Sequence, residues 1–304
     1  MSNGTNKPFT SGFVALVGRP NTGKSTLLNA ALNQKVAICS PVAQTTRKRL
    51  RAVINTDHSQ LVIVDTPGLH KPKDALGKEL NRAALGELED VDAVALLIDA
   101  TKPVGRGDEW VASHVKASHA PYKLLVVTKA DISNPEQLSA QLEAARALMD
   151  FDDELVVSAK MGFNVPSFVE LVSAHLPEGP AWFPQDMTCD APEEELVAEF
   201  IREKAFLNLR QEIPHSVGVV TNFIEWPKDD QASVSATILV ERDGQKGIVI
   251  GHGGKMIKKI GTEARRDIER LLGAKVYLDL SVRVQPAWRR DQNEIRRLGY
   301  DAGE

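Results

Sequence analysis

Five short runs of Val, Leu and Ile punctuate the first 176 residues: FVALVG (13–18), LVIVD (61–65), AVALLID (93–99), KLLVVT (123–128) and ELVVSA (154–159). Each is apolar at nearly every position, not at every second one, as in strands covered on both faces. Amphipathic stretches around 24–33, 76–89, 106–118, 135–149 and 164–176 fall between them and read as helices. Strand–helix alternation of this kind predicts a mostly parallel sheet flanked by helices, an α/β domain.

The texture then changes. PEGPAWFPQDMTCDAP (177–192) is proline-rich, has no hydrophobic period and reads as a linker. Beyond it come an amphipathic helix beginning at the acidic run Glu193–Glu195, two strand-like runs (215–226 and 232–242), an apolar strand ending in IVIG, a charged helix (262–273) and a last strand (275–285). These elements predict a smaller α+β domain. The boundaries are 1–178 for the first domain, 179–192 for the linker and 193–304 for the second domain with a charged C-terminal tail.

Composition narrows the picture little. The chain has 304 residues, 42% hydrophobic and 26% charged, with a formal net charge of −4. A nucleic acid must therefore meet a local basic patch, because the overall balance repels phosphate. Cys39 and Cys189 lack metal-ligand spacing and read as free thiols of a reducing cytoplasm. The polar N-terminus carries no secretory signal, and no run approaches the ~18 apolar residues of a membrane span.

Chemistry is concentrated at the strand ends. Gly18-x-x-x-x-Gly23-Lys24-Ser25 follows the first strand and opens a helix, the context that a phosphate-binding loop requires. Its amides, with Asn21, Thr22, Gly23 and Thr26, would face the phosphates. Lys24 would reach the β- and γ-oxygens, and the Ser25 hydroxyl would ligate Mg²⁺. Thr128-Lys129-Ala130-Asp131 selects the base: a carboxylate at Asp131 accepts from both the ring N–H and the amine of guanine, which adenine does not match. Ser158-Ala159-Lys160 brings a backbone N–H toward the guanine oxygen. Asp65-Thr66-Pro67-Gly68 would hold Mg²⁺ through Asp65 and sense the γ-phosphate through Gly68. Thr46, favoured over Thr45, would close the metal shell. In the second domain Gly251-His252-Gly253-Gly254, followed by Lys255, Lys258 and Lys259 and preceded by Ile250, has the spacing of a KH module. The GxxG loop of that module clamps about four nucleotides of single-stranded RNA. Arg265 and Arg266 enlarge the basic cluster. Arg283, Arg289 and Arg290 either extend it or belong to a solvated tail. His252 either contacts RNA or is a bland loop residue.

GRPNTGKSTLLNA, QTTRKR, DTPGLHKP, TKAD and SAK, with the GxxG domain behind them, resemble the Era family of bacterial GTPases over nearly the whole chain. The resemblance implies a P-loop GTPase domain followed by a type II KH domain and a switch that binds and slowly hydrolyses GTP with Mg²⁺. The implied partner is RNA near the 3′ end of small-subunit ribosomal RNA, with a role in 30S subunit assembly, in a cytoplasmic monomer. Peripheral contact with the inner face of the cell membrane stays open, although no lipidation signal or long cationic amphipathic helix argues for it. Leu69 stands where Ras-like proteins place a water-orienting glutamine, so the catalytic residue is unassigned. Asn21 either helps hold a potassium ion in place of an arginine finger, as in related GTPases, or merely fits its turn. Thr128 replaces the family's usual asparagine, which predicts a looser brace on the phosphate loop. His70 reads as a surface loop residue. Two other functions compete: a structural RNA-binding component with a vestigial nucleotide site, and a membrane or cell-cycle signalling GTPase.

Overall fold

The computed structural model describes residues 8–40, 45–69, 75–210 and 213–298. His70 and Gln44 lie outside them. Contacts divide the chain into two units. The first comprises residues up to Val36, Arg49–His70 and Asn81–Asp190, and the second comprises Ala37–Lys48, Lys71–Leu80 and everything from Ala191.

In the first unit the order is β1 (Thr10–Val17), α1 (Lys24–Leu32), β2 (Leu50–Asn55), β3 (Ser59–Asp65), α2 (Ala75–Gly86), β4 (Ala93–Asp99), α3 (Arg106–Ala117), β5 (Tyr122–Thr128), α4 (Pro135–Arg146), β6 (Asp153–Val156) and α5 (Val165–Ala174). The six strands lie in the order β2-β3-β1-β4-β5-β6, all parallel except β2, which runs antiparallel to β3. Period-two alternation sends Ala15, Val17, Val94, Leu96, Leu125 and Val127 to one face, packed with Val111, Val115 and Ala145. Val14, Leu16, Leu97, Leu124 and Val126 face the other way and are as fully buried. That double burial is why the runs in β1, β3, β4 and β5 read as continuously apolar, whereas β6, at the sheet edge, is only partly buried.

The proline-rich stretch that reads as a linker is pinned to the open side of this sheet. Cys189 bridges Ala52, the Val53 amide donates to the Thr188 carbonyl, and the Arg51 amide to the Asp190 carboxylate. Gln60, fully buried, accepts from the Trp182 and Phe183 amides through one oxygen and donates to the Phe183 carbonyl and Asn55. An edge strand's unpaired amides are thereby covered.

In the second unit α6 (Glu193–Asn208) and α7 (Ile213–Ser216) precede β7 (Gly218–Lys228) and β8 (Gln231–Val240). Then come α8 (Asp243–Ile250), α9 (Lys255–Leu272), β9 (Lys275–Val284) and α10 (Gln292–Arg297). β7 pairs antiparallel with β8, and β8 pairs parallel with β9. Val234, Ala236 and Ile238 of β8 face a core built with Phe200, Ile201, Ile260, Ala264 and Ile268. One expectation is overturned: the IVIG run is not a strand but the end of α8. Four apolar residues are too few for periodicity to separate strand from helix. The helical start is set by Gln245, whose side-chain oxygen accepts from the Glu241 and Arg242 amides.

Replacing Gln60 by Ala leaves two part-buried amides without their acceptor, so Gln60→Ala is expected to destabilise the first unit by about 1 kcal/mol. Chemical denaturation of the nucleotide-free protein checks this.

Candidate functional site

β1 lies between β3 and β4, so the strand order reverses at its C-terminal end, where open α/β sheets bind ligands. The chemistry of the first unit collects there. The loop from Gly18 to Ser25 leaves β1, Asp65 ends β3, Asp99 ends β4, Thr128 ends β5 and Ser158 follows β6.

The loop has one permitted backbone. A Cβ on Gly18 would stand 2.7 Å from the Leu97 carbonyl oxygen. Gly23 takes φ 99° and Asn21 φ 66°, both left-handed, which glycine adopts freely and asparagine tolerates. Thr22 is buried and donates its hydroxyl to the Arg19 carbonyl. Lys24 is folded back inside the loop, its Nζ donating to the carbonyls of Gly18 (3.2 Å) and Arg19 (3.1 Å). Burial pulls its pKa down to about 8, with Asp65 opposing the shift. Thr26 follows in the first turn of α1, half-buried.

Ser25 Oγ donates to Asp65 Oδ2 at 2.6 Å. A hydroxyl and a carboxylate are hard oxygen donors, the set that P-loop proteins present to Mg²⁺ beside phosphate oxygens, so these residues fit that ion. Among the described residues no cluster of three or more His, Cys, Asp or Glu forms a metal site. Gly68 is required by close approach, since a Cβ there would lie 2.8 Å from Pro20. Leu69, fully buried in the first unit's core, presents nothing to a water molecule.

Two of the residues that the motifs assign to the base lie together. Ser158 Oγ donates to Asp131 Oδ1 at 2.7 Å and so orients the exposed carboxylate. Ala159 and Lys160 follow it at the surface. Thr128, for which a looser brace is expected, makes two bonds. Its buried hydroxyl reaches the Thr22 carbonyl at 2.6 Å and the Ile98 carbonyl at 3.1 Å, tying the phosphate loop to the ends of β4 and β5. Sequence reasoning missed Asp99, which receives Lys129 Nζ at 2.7 Å. The available signal was a carboxylate closing an otherwise apolar strand.

Thr46 belongs by contacts to the second unit. Its neighbours are anchored there. The Thr45 hydroxyl pairs with Ser40, and the Thr45 carbonyl accepts from the fully buried Arg202 at 2.6 Å. Arg47 donates to the Val217 carbonyl at 2.7 Å and lies over the rings of Phe206 and Trp288. The first half of α2 behaves alike: Leu76 and Leu80 pack with Leu239, Trp288, Ile295 and Leu298.

The GxxG loop joins α8 to α9. Gly251, Gly253 and Gly254 all have positive φ (72°, 57° and 76°), and a Cβ on Gly251 would meet Met256 at 2.7 Å. His252, Lys255, Lys258 and Lys259 are exposed around it, while Ile250 and Ile257 are half-buried and Ile260 is core. Beside it a groove of about 260 Å³ runs between α9 and β9, with Ile257, Leu278 and Leu280 as apolar lining and Lys258 and Arg265 as cations. Tyr277, 72% exposed, also lines it. Sequence reasoning missed it, although an aromatic at a solvent-facing strand position was the signal.

Comparison with known proteins finds two domain families along the chain. A family model described as a 50S ribosome-binding GTPase matches residues 13–129, and a KH domain model matches residues 212–289. A crystal structure of Era in complex with MgGDPNP and nucleotides 1506–1542 of 16S ribosomal RNA is 37% identical, with a TM-score of 0.91 over 96% of this chain and 99% of that one. The chain belongs to the Era family. A variant of Aquifex aeolicus Era bound to GDP and AlF₄⁻ matches equally well, at 37% identity and TM-score 0.91, covering 96% of this chain and all of that one. The P-loop GTPase domain and the KH domain expected from the motifs are thus the domains of an Era protein.

The depressed Lys24 pKa has a consequence for binding. Phosphate oxygens favour the charged ammonium, so nucleotide binding raises this pKa and takes up a proton where the free protein has lost it. Guanine nucleotide affinity is expected to hold below about pH 8 and to fall as pH rises above it. Calorimetry at pH 8.5 in buffers of different ionisation enthalpy should register the uptake.

Proposed function

We propose that this protein is a GTP-hydrolysing switch that grips single-stranded RNA at the 3′ end region of small-subunit ribosomal RNA and acts in 30S subunit assembly, as a cytoplasmic monomer. The observation that carries the reading is the match along the full chain to an Era protein solved with a GTP analogue, Mg²⁺ and 16S ribosomal RNA nucleotides. The Asp131–Ser158 pair and the Lys24–Ser25–Asp65 cradle support GTP with Mg²⁺. The GxxG loop with its lysines supports the RNA. Thr46 would join the metal shell when the γ-phosphate is present, at the expense of the anchors that Arg47 and Arg202 give its segment. RNA affinity and nucleotide state are then reciprocally coupled.

The test is RNA binding by the full chain with a non-hydrolysable GTP analogue and with GDP, using the 3′-terminal rRNA segment as probe. The affinities should differ by about 5- to 150-fold, the usual span of allosteric coupling. Gly253→Asp/Gly254→Asp, which forces strained backbone and negative charge against phosphate, should abolish capture while GDP binding persists. Equal capture by this variant would overturn the RNA reading, and a preference for ATP would overturn the nucleotide reading.

Turnover is slow because Leu69 offers no polar group to the attacking water, and Asn21 would hold a potassium ion that replaces an arginine finger. GTP hydrolysis should be faster in potassium than in sodium at equal ionic strength. Equal rates would leave Asn21 as a residue suited to its left-handed turn.

A further inference from the structure

Asp99 is the one carboxylate at the strand ends that neither the Mg²⁺ set nor base recognition uses. It is 6% exposed, and a carboxylate buried this far needs partners. It has them on both oxygens. Oδ1 accepts from the Thr101 amide (2.9 Å) and hydroxyl (2.6 Å), and Oδ2 accepts from Lys129 Nζ at 2.7 Å. Lys102 stands farther off at 3.9 Å and is mostly exposed. Burial alone would push the Asp99 pKa up, but the hydrogen bonds from Lys129 and Thr101 outweigh it and hold the carboxyl below its usual range. The group is therefore an anion at neutral pH.

The lysine it holds needs holding. Lys129 sits in a left-handed backbone conformation, φ 63° and ψ 35°, one residue past the end of β5 and two before Asp131. A lysine stem has four rotatable carbons and loses about 2 kcal/mol of rotamer freedom when fixed. If that ordering waits for the ligand, it subtracts from affinity; if the protein has already done it, it does not. The base-recognition motif places Lys129 along the guanine base. The anchor at Nζ leaves the methylene stem stretched between β5 and the end of β4.

We propose that Asp99 is a positioning residue for guanine nucleotides: it pins the Lys129 ammonium so that the lysine stem stands ready as a wall of the base slot. Thr101 in turn fixes the rotamer of Asp99. This inference rests on the nucleotide-site reading above and deepens it.

Asp99→Asn keeps the size and the bonds from Thr101 but removes the charge. Loss of this charged hydrogen bond should raise GDP dissociation and the KM for GTP each by roughly tenfold or more. The kcat at saturating GTP should stay the same, because no reacting atom is touched. The discriminating measurement is a double-mutant cycle with Lys129→Met. If Asp99 acts through Lys129, Asp99→Asn has no further effect on GDP affinity once Lys129 is gone. Equal weakening on both backgrounds would overturn the proposal, as would unchanged GDP affinity in the single variant. Should Asp99→Asn fail to fold, Thr101→Ala loosens Asp99 more gently. It should weaken GDP by a few-fold on the Lys129 background alone, and no such difference would likewise overturn the proposal. These outcomes are distinct from failure of the site reading, which shows itself as ATP preferred over GTP by the unaltered protein.

Discussion

An ammonium enclosed by its own loop sets the terms for the first unit. Lys24 is 5% exposed, and its partners are the backbone carbonyls of Gly18 and Arg19. Carbonyl dipoles are weak compensation for a charge taken out of water, which is why its proton is held so loosely. An anion arriving at the loop supplies what the carbonyls do not. The neighbouring features follow from keeping that enclosure intact. Gly18 leaves room against β4, Gly68 lets the chain after β3 pass Pro20, and the Thr128 hydroxyl fastens Thr22 from behind. The sheet provides the room, because β1 parts company with its neighbours in opposite directions.

How much of this the sequence disclosed depends on the range of the interaction. The central apolar runs announced their strands because double burial leaves almost no polar position. β2 went unseen because LRAVIN carries Arg51 and follows RKR, a texture set by its place at the sheet's margin and by its pairing with β3. The phosphate loop and the GxxG loop were legible because glycine at fixed spacing is a local backbone requirement, met here by positive φ at Gly23, Gly253 and Gly254. α8 was not, since IVIG fits either element and a single side chain, Gln245, decides. Asp99 and Tyr277 escaped because each owes its meaning to residues 30 or more positions away on other strands or to a groove formed in the fold.

The division by contacts was the least legible feature. Residues 37–48 and 71–80 lie in sequence among the nucleotide motifs, yet they group with the second unit. No periodicity shows this. It results from two arginines, Arg47 and Arg202, whose burial is possible only because the Val217 and Thr45 carbonyls and the Glu199 carboxylate receive them and the Phe206 ring flanks both. It also results from Trp288, fully buried, with its indole N–H on the Ser216 carbonyl.

A segment with such anchors is suited to switching because it has something definite to lose. Buried arginines stripped of their partners are strongly disfavoured, so intermediate positions are poor and the element tends toward two states. A ligand can shift that balance only through its differential affinity, and a swing from 1:99 to 99:1 requires about 5.5 kcal/mol of it. On the function proposed above, one hydroxyl–metal bond at Thr46 would have to be joined by contacts from the Gly68 amide to the γ-phosphate before that sum is reached. Trp288 packs against both Arg47 and the Leu76–Leu80 stretch, so one side chain is shared by the packing of the two segments.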